Sequence, residues 1–293
     1  MGTIVDEYKD MFQDLLSKSR KQTTITPENV FQESNKDTLA LIEKMVKDLL
    51  LPNSEIRHQE NLKELLERVK EGQKAHILME HYSNLDLPQL VLMLKESGET
   101  GKEIADRLVA IAGMKLNEDD PVVCAFAESY SRVVIYPSRS LASITDPEQH
   151  KEEETRSRKI NLASMRAFDT LRKEGKIFLV FPSGTRYRPG HPETKRGVRE
   201  IDSYIRLSDV MVLISVNGNC LRIPENSSSQ GMLGDIVAKD RIVLDVSPVY
   251  SCHGFREEAQ EKNPGAEDPK QVSVDHVMNL LAEMHETNEK GRI

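Results

Sequence analysis

Ala75-His76-Ile77-Leu78-Met79-Glu80-His81-Tyr82-Ser83-Asn84-Leu85-Asp86-Leu87-Pro88 is the stretch that decides how this chain folds. A short apolar run, 76–79, gives way to a polar turn and then to a helical apolar pattern over about 87–96. A brief apolar run bounded by turn residues reads as a buried strand. Strand, turn and helix in succession form the repeating unit of a parallel sheet. The alternation continues downstream. Strands are expected over 108–112, 133–136, 176–181, 210–216 and 242–250, and long helices over about 152–174 and 272–286. The expected class is α/β, with a largely parallel mixed sheet flanked by helices.

Upstream of Ala75 the pattern is helical. Ile4, Val5, Tyr8, Met11, Phe12, Leu15 and Leu16 share one helical face. Thr26-Pro27 reads as an N-cap with proline at the first helical position. Leu39, Ile42, Met45, Val46, Leu49 and Leu50 form a further apolar face, stopped by Pro52. Ser54 is expected to cap a fourth helix that carries Leu62, Leu65, Leu66 and Val69 and ends at Gly72. A small N-terminal helical bundle domain, 1–73, is therefore expected ahead of an α/β domain, 74–293. Segment 222–240, with Asn226-Ser227-Ser228-Ser229, reads as a long mobile loop, and no internal repeat is visible.

Composition narrows the function classes. With 293 residues, 38% hydrophobic and 30% charged, the chain has material for one or two soluble domains. A net charge of −8 and the absence of tryptophan argue against a nucleic-acid partner held by bulk charge or base stacking. Cys124, Cys220 and Cys252 lie far apart, so neither a metal site nor a disulfide framework is expected. The expected home is the reducing cytoplasm. No secretory leader is expected from the acidic start. No stretch approaches the ~20 apolar residues of a membrane span.

Two segments carry chemistry. His81 and Asp86 stand five residues apart across the strand-to-helix turn, where ligands of open α/β sheets bind. A carboxylate folded back onto the imidazole would fix its tautomer and leave the other ring nitrogen to act as a general base. The plainer reading, in which Asp86 or Asn84 caps the helix and His81 is a loop residue, stays open at this level. The second segment is Phe181-Pro182-Ser183-Gly184-Thr185-Arg186-Tyr187-Arg188, directly after the 176–181 strand. Ser183, Gly184 and Thr185 make a tight loop fit to approach a ligand, and Arg186 and Arg188 could converge on a phosphate. A solvated turn with exposed arginines is the alternative. Arg139, after the 133–136 strand, is a third candidate phosphate ligand.

Two other segments offer less. Gly98-Glu99-Thr100-Gly101-Lys102-Glu103 lacks the spacing of a phosphate-binding loop and reads as ordinary loop. Arg156-Ser157-Arg158-Lys159 is a solvated helix face or a docking patch for an acidic carrier protein. No G-x-S-x-G elbow is present, which disfavours a serine nucleophile.

His81 to Asp86 and Phe181 to Arg186 together resemble the H-x-x-x-x-D and F-P-E-G-T-R blocks of the glycerolipid acyltransferase family. Ser183 in place of the usual glutamate, followed by Arg186-x-Arg188, is similar to the soluble glycerol-3-phosphate 1-O-acyltransferases of plastids and some bacteria. The resemblance implies a small helical domain before an α/β catalytic domain. It implies transfer of a fatty acyl group from coenzyme A or acyl carrier protein to the sn-1 hydroxyl of glycerol 3-phosphate, giving lysophosphatidate. His81 would be the base and Asp86 its orienting partner, with Arg139, Arg186 and Arg188 on the phosphate. No cofactor is implied beyond the thioester co-substrate, and no metal. Where the subfamily has a lysine–histidine pair this chain has Arg139-Ser140, and a proline expected within 210–216 is missing. These departures bear on the acceptor more than on the chemistry. Acylation of 1-acylglycerol 3-phosphate is the competing enzymatic reading. A non-catalytic module holding a phosphate or a carrier is the alternative from another class. Carrier docking, peripheral membrane contact and simple stabilisation all stay open for the N-terminal segment.

Overall fold

A computed structural model describes residues 2–20, 24–114, 116, 120–224 and 232–291. The strands, in chain order, are β1 (Phe31–Gln32), β2 (Glu55–Arg57), β3 (Ala75–Met79), β4 (Leu108–Gly113), β5 (Arg132–Ile135), β6 (Ile177–Val180), β7 (Val210–Asn217), β8 (Leu221–Arg222), β9 (Ile236–Val237), β10 (Val243–Val246) and β11 (Tyr250–Ser251). Helices separate most of them. The fold is α/β with a largely parallel mixed sheet flanked by helices, as the alternation predicts. The chain divides into two compact units, one of Met1–Lys9, Glu43–Leu108 and Ile177–Ile293, the other of Asp10–Ile42 and Val109–Lys176.

In the first unit, β3 lies between β6 and β7 and runs parallel to both, with Ile77 opposite Leu179 on one side and Val212 on the other. All five residues of β3 are buried, as are all four of β6 and all eight of β7. Ile77, Leu78 and Met79 expose none of their surface. Each such side chain contributes ~1.5–3 kcal/mol of burial free energy. β10 pairs antiparallel with β7 and parallel with β2. The Gln59–Lys70 helix packs against β3, β7 and β10, and the Pro269–Lys290 helix against β7 and β10. Pro269 starts the latter, capped by Asp268, whose carboxylate accepts the N–H groups of Lys270 and Gln271.

In the second unit, β5 pairs parallel with β4 and antiparallel with β1. The Pro147–Lys173 helix packs on β5. Asp146 caps that helix through the Gln149 N–H. Ile160 of that helix packs with Ile25, Val30, Met114, Val134 and Tyr136 in one apolar cluster.

Several expectations are corrected. Thr26-Pro27 opens a turn, not a helix: the Thr26 N–H donates to Asn29 Oδ1 at 2.7 Å, and β1 comes next. Ser54 caps nothing; its hydroxyl bonds the Leu51 carbonyl, and β2 comes before the helix that starts at Gln59. The glycine segment read as loop is the Glu99–Arg107 helix, entered through Gly98 at φ 105°. The expected 242–250 strand is broken into β10 and β11. Within 222–240, β8 and β9 pair with each other, while Asn226-Ser227-Ser228-Ser229 lies outside the described residues.

Candidate active site

Because β3 and β6 are parallel neighbours in register, the turns at their carboxyl ends leave the same sheet edge. One turn carries His81 and the other carries 181–188. The first is organised by a single carboxylate. Asp86, the first residue of the Asp86–Glu96 helix, is buried. Its Oδ2 accepts the Tyr82 N–H at 2.7 Å, the Ser83 N–H at 2.9 Å and His81 Nδ1 at 2.9 Å. Its Oδ1 accepts the Ser83 hydroxyl at 3.1 Å. A helix N-terminus favours negative charge at this position. An oxygen already accepting two backbone N–H groups is an acceptor towards the ring as well. Nδ1 therefore carries the proton and Nε2 the lone pair. Nε2 makes no hydrogen bond among the described residues.

The imidazole lies flat on Phe181, with ring centroids 3.9 Å apart and planes 12° apart. Stacking on one side and the Asp86 hydrogen bond on its rim fix the ring's orientation. Phe181 opens the second turn. Gly184, at φ 62°, takes the left-handed conformation that lets its N–H reach back to the Phe181 carbonyl at 2.9 Å. The Ser183 hydroxyl donates to the Thr185 carbonyl at 2.6 Å, so serine at this position braces the loop itself. The Tyr187 N–H donates to the His81 carbonyl at 2.7 Å and joins the two turns.

The three arginines are placed differently. Arg186 is buried and ion-paired through Nη1 with Asp235, also buried. Burial pushes the Asp235 carboxyl up to about 6, against the opposing pull of Arg186 and Arg188. Arg188 is half-buried; its backbone N–H donates to Thr194 Oγ1 at 2.9 Å, and its guanidinium forms no ion pair among the described residues. Arg139 stands on the Ser138–Ala142 helix of the other unit.

A second layer lies behind His81. Glu80 is buried; its Oε2 accepts the Val216 N–H at 2.9 Å and bonds His285 Nδ1 at 3.0 Å. Tyr82 stacks on His285 at 5.0 Å and meets Tyr187 edge-on at 4.8 Å. Burial, and then the charge of Glu80, raises both phenols above their ordinary value, so Tyr82 and Tyr187 stay neutral. Sequence reasoning missed Phe181 as a platform and missed Glu80, Asp235, His285 and Lys195. Glu80 adjoins the histidine and ends a buried strand, a signal that was legible. Asp235 and His285 had none, being remote in the chain.

Among the described residues no helix is long and apolar enough to cross a membrane, and no group of three or more His, Cys, Asp or Glu is placed to hold a metal ion. No curated protein matches the chain. A family model described as Acyltransferase matches residues 54–213, more than half of the sequence and inclusive of both turns. The chain belongs to the acyltransferase family.

Proposed function

We propose that this acyltransferase moves a fatty acyl group from a coenzyme A or acyl-carrier-protein thioester to the sn-1 hydroxyl of glycerol 3-phosphate. His81 Nε2 takes the hydroxyl proton as the oxygen attacks the thioester carbonyl. The tetrahedral intermediate collapses with loss of the thiolate, which regains a proton from the imidazolium. Asp86 holds the ring and offsets the positive charge that develops on it. Base catalysis of this kind supplies ~10²–10⁴ in rate. The acceptor's phosphate lies against Arg188 and against the guanidinium edge of Arg186 that faces away from Asp235. A guanidinium has five N–H donors, so one arginine can serve a carboxylate and a phosphate together. No covalent enzyme intermediate enters this scheme.

The observation that supports this reading is the His81–Asp86 hydrogen bond, joined through the Tyr187 N–H to a loop carrying Arg186 and Arg188. The test is an acyl-transfer assay on the purified chain with both thioester donors. Glycerol 3-phosphate and 1-acylglycerol 3-phosphate are offered separately. Turnover of the first acceptor in preference to the second is expected. The reverse preference would move the chain to the next acylation step, and tight phosphate binding without turnover would make it a binding module.

A further inference from the structure

We propose that Lys195 is a further specificity-determining residue of this site: its ammonium and the Arg188 guanidinium together hold the phosphate monoester of the acceptor. The inference deepens the glycerol 3-phosphate reading and rests on it.

The chain after Arg188 folds back on itself. The His191 N–H donates to the Arg188 carbonyl at 3.1 Å, and the Thr194 N–H donates to the His191 carbonyl at 3.0 Å. Thr194 Oγ1 accepts the Arg188 N–H at 2.9 Å. The Pro192–Lys195 turn thus returns to its starting point, with Thr194 against Arg188 and Lys195 the next residue along the chain. The Lys195 ammonium stands 5.6 Å from the centroid of the Tyr82 ring and 5.2 Å from that of Tyr187. Tyr82 is the next residue after His81, and Tyr187 is bonded to His81 through its backbone N–H. The amine is therefore gathered to the histidine side of the loop.

What holds this cation matters. A carboxylate partner would position an ammonium and cancel its charge. Two neutral aromatic faces position it by cation–π attraction and leave the charge available. Lys195 is exposed and forms no ion pair among the described residues, and neither does Arg188. Arg186, by contrast, is tied to Asp235, and Arg199 to Asp268. A phosphate monoester carries between one and two negative charges, which a guanidinium and an ammonium together match.

The test is steady-state kinetics on the full chain with Lys195→Gln and Lys195→Arg, varying glycerol 3-phosphate and the thioester in turn. In the glutamine variant the KM for glycerol 3-phosphate should rise about tenfold, a loss of ~1.4 kcal/mol. The donor KM should stay near its original value, and arginine should restore most of the acceptor affinity. An unchanged acceptor KM, or a rise in the donor KM instead, overturns the assignment. If the unaltered chain fails to acylate glycerol 3-phosphate at all, the functional reading falls. Calorimetric titration with inorganic phosphate then decides the lysine by itself. Weaker binding in the glutamine variant supports Lys195 as an anion ligand, and equal binding refutes it.

Discussion

The backbone N–H of Tyr187 donates to the carbonyl oxygen of His81 at 2.7 Å, so a main-chain bond fastens the arginine-bearing loop to the histidine-bearing loop beside the His81–Phe181 and Tyr82–Tyr187 ring contacts. Substitutions at His81, Phe181 or Arg188 leave that bond possible. At Arg188, which takes no part in the ring contacts between the loops, a loss of activity can be read as chemistry; at His81 and Phe181 the main-chain bond and the Tyr82–Tyr187 contact remain to hold the loops.

Asp86→Asn tests the orienting carboxylate. The asparagine carbonyl oxygen can still accept the Tyr82 and Ser83 N–H groups, and its amide can face the Ser83 hydroxyl, so the turn should survive. What is lost is the charge that stabilises the imidazolium. We expect kcat to fall by about 10²–10⁴ with an unchanged far-UV spectrum. A kcat within a factor of a few of the parent would assign Asp86 to helix capping alone.

Phe181→Ala removes the face on which the His81 ring rests at 3.9 Å. The imidazole then keeps its hydrogen bond but loses its flat support. A fall in kcat of about tenfold is expected, equivalent to ~1.4 kcal/mol, with Phe181→Tyr near the parent. The check is kcat measured at saturating acceptor and donor; equal values for the alanine variant would show that Asp86 alone sets the ring.

Much of the fold was legible because its signals are local. Ile77, Leu78 and Met79 make an uninterrupted apolar run, and Pro88 is a residue that the first turn of a helix tolerates and a central strand does not. The contact between residues 81 and 86 spans a single turn, so spacing alone anticipates it. Other elements depend on partners that spacing does not reveal. β2 reads Glu-Ile-Arg, with one apolar residue in three, and is a strand only because β10 lies alongside it. Thr26 and Asn29 serve turns as readily as helix caps. The glycines at 98 and 101 read as loop, yet Gly101 sits inside a helix where a Cβ would collide with the Leu94 carbonyl oxygen of the neighbouring one. Arg186 reads as a free cation until Asp235, 49 residues on, is found against it.

Glu80 is the acceptor for two groups at once, the Val216 N–H and His285 Nδ1. Glu80→Ala would leave the buried Val216 N–H unsatisfied and take from half-buried His285 its carboxylate partner, with the Tyr82 hydroxyl at 3.3 Å remaining. We expect a loss of about 1–3 kcal/mol in stability by urea unfolding. Glu80→Gln, which keeps an acceptor for the backbone, should lose less. Equal losses in the two variants would deny the pairing its role.

Asp235 gives stability a pH dependence of defined sign. Burial raises its folded value to about 6 from the usual 3.8. Between those two values the folded chain holds a proton that the unfolded chain has released. This group's contribution to stability therefore falls as pH rises from about 4 to about 6 and is flat above that. Asp235→Asn should flatten the slope of stability against pH in this window. The same slope in both proteins would place the titration elsewhere.

The most direct trial of His81 as the general base is turnover without its imidazole. His81→Ala, offered glycerol 3-phosphate and an acyl thioester at saturation, should show kcat reduced by at least about a hundredfold while circular dichroism and Tm stay those of the parent. Near-normal turnover in that folded variant would contradict the claim that Nε2 of His81 takes the acceptor's proton.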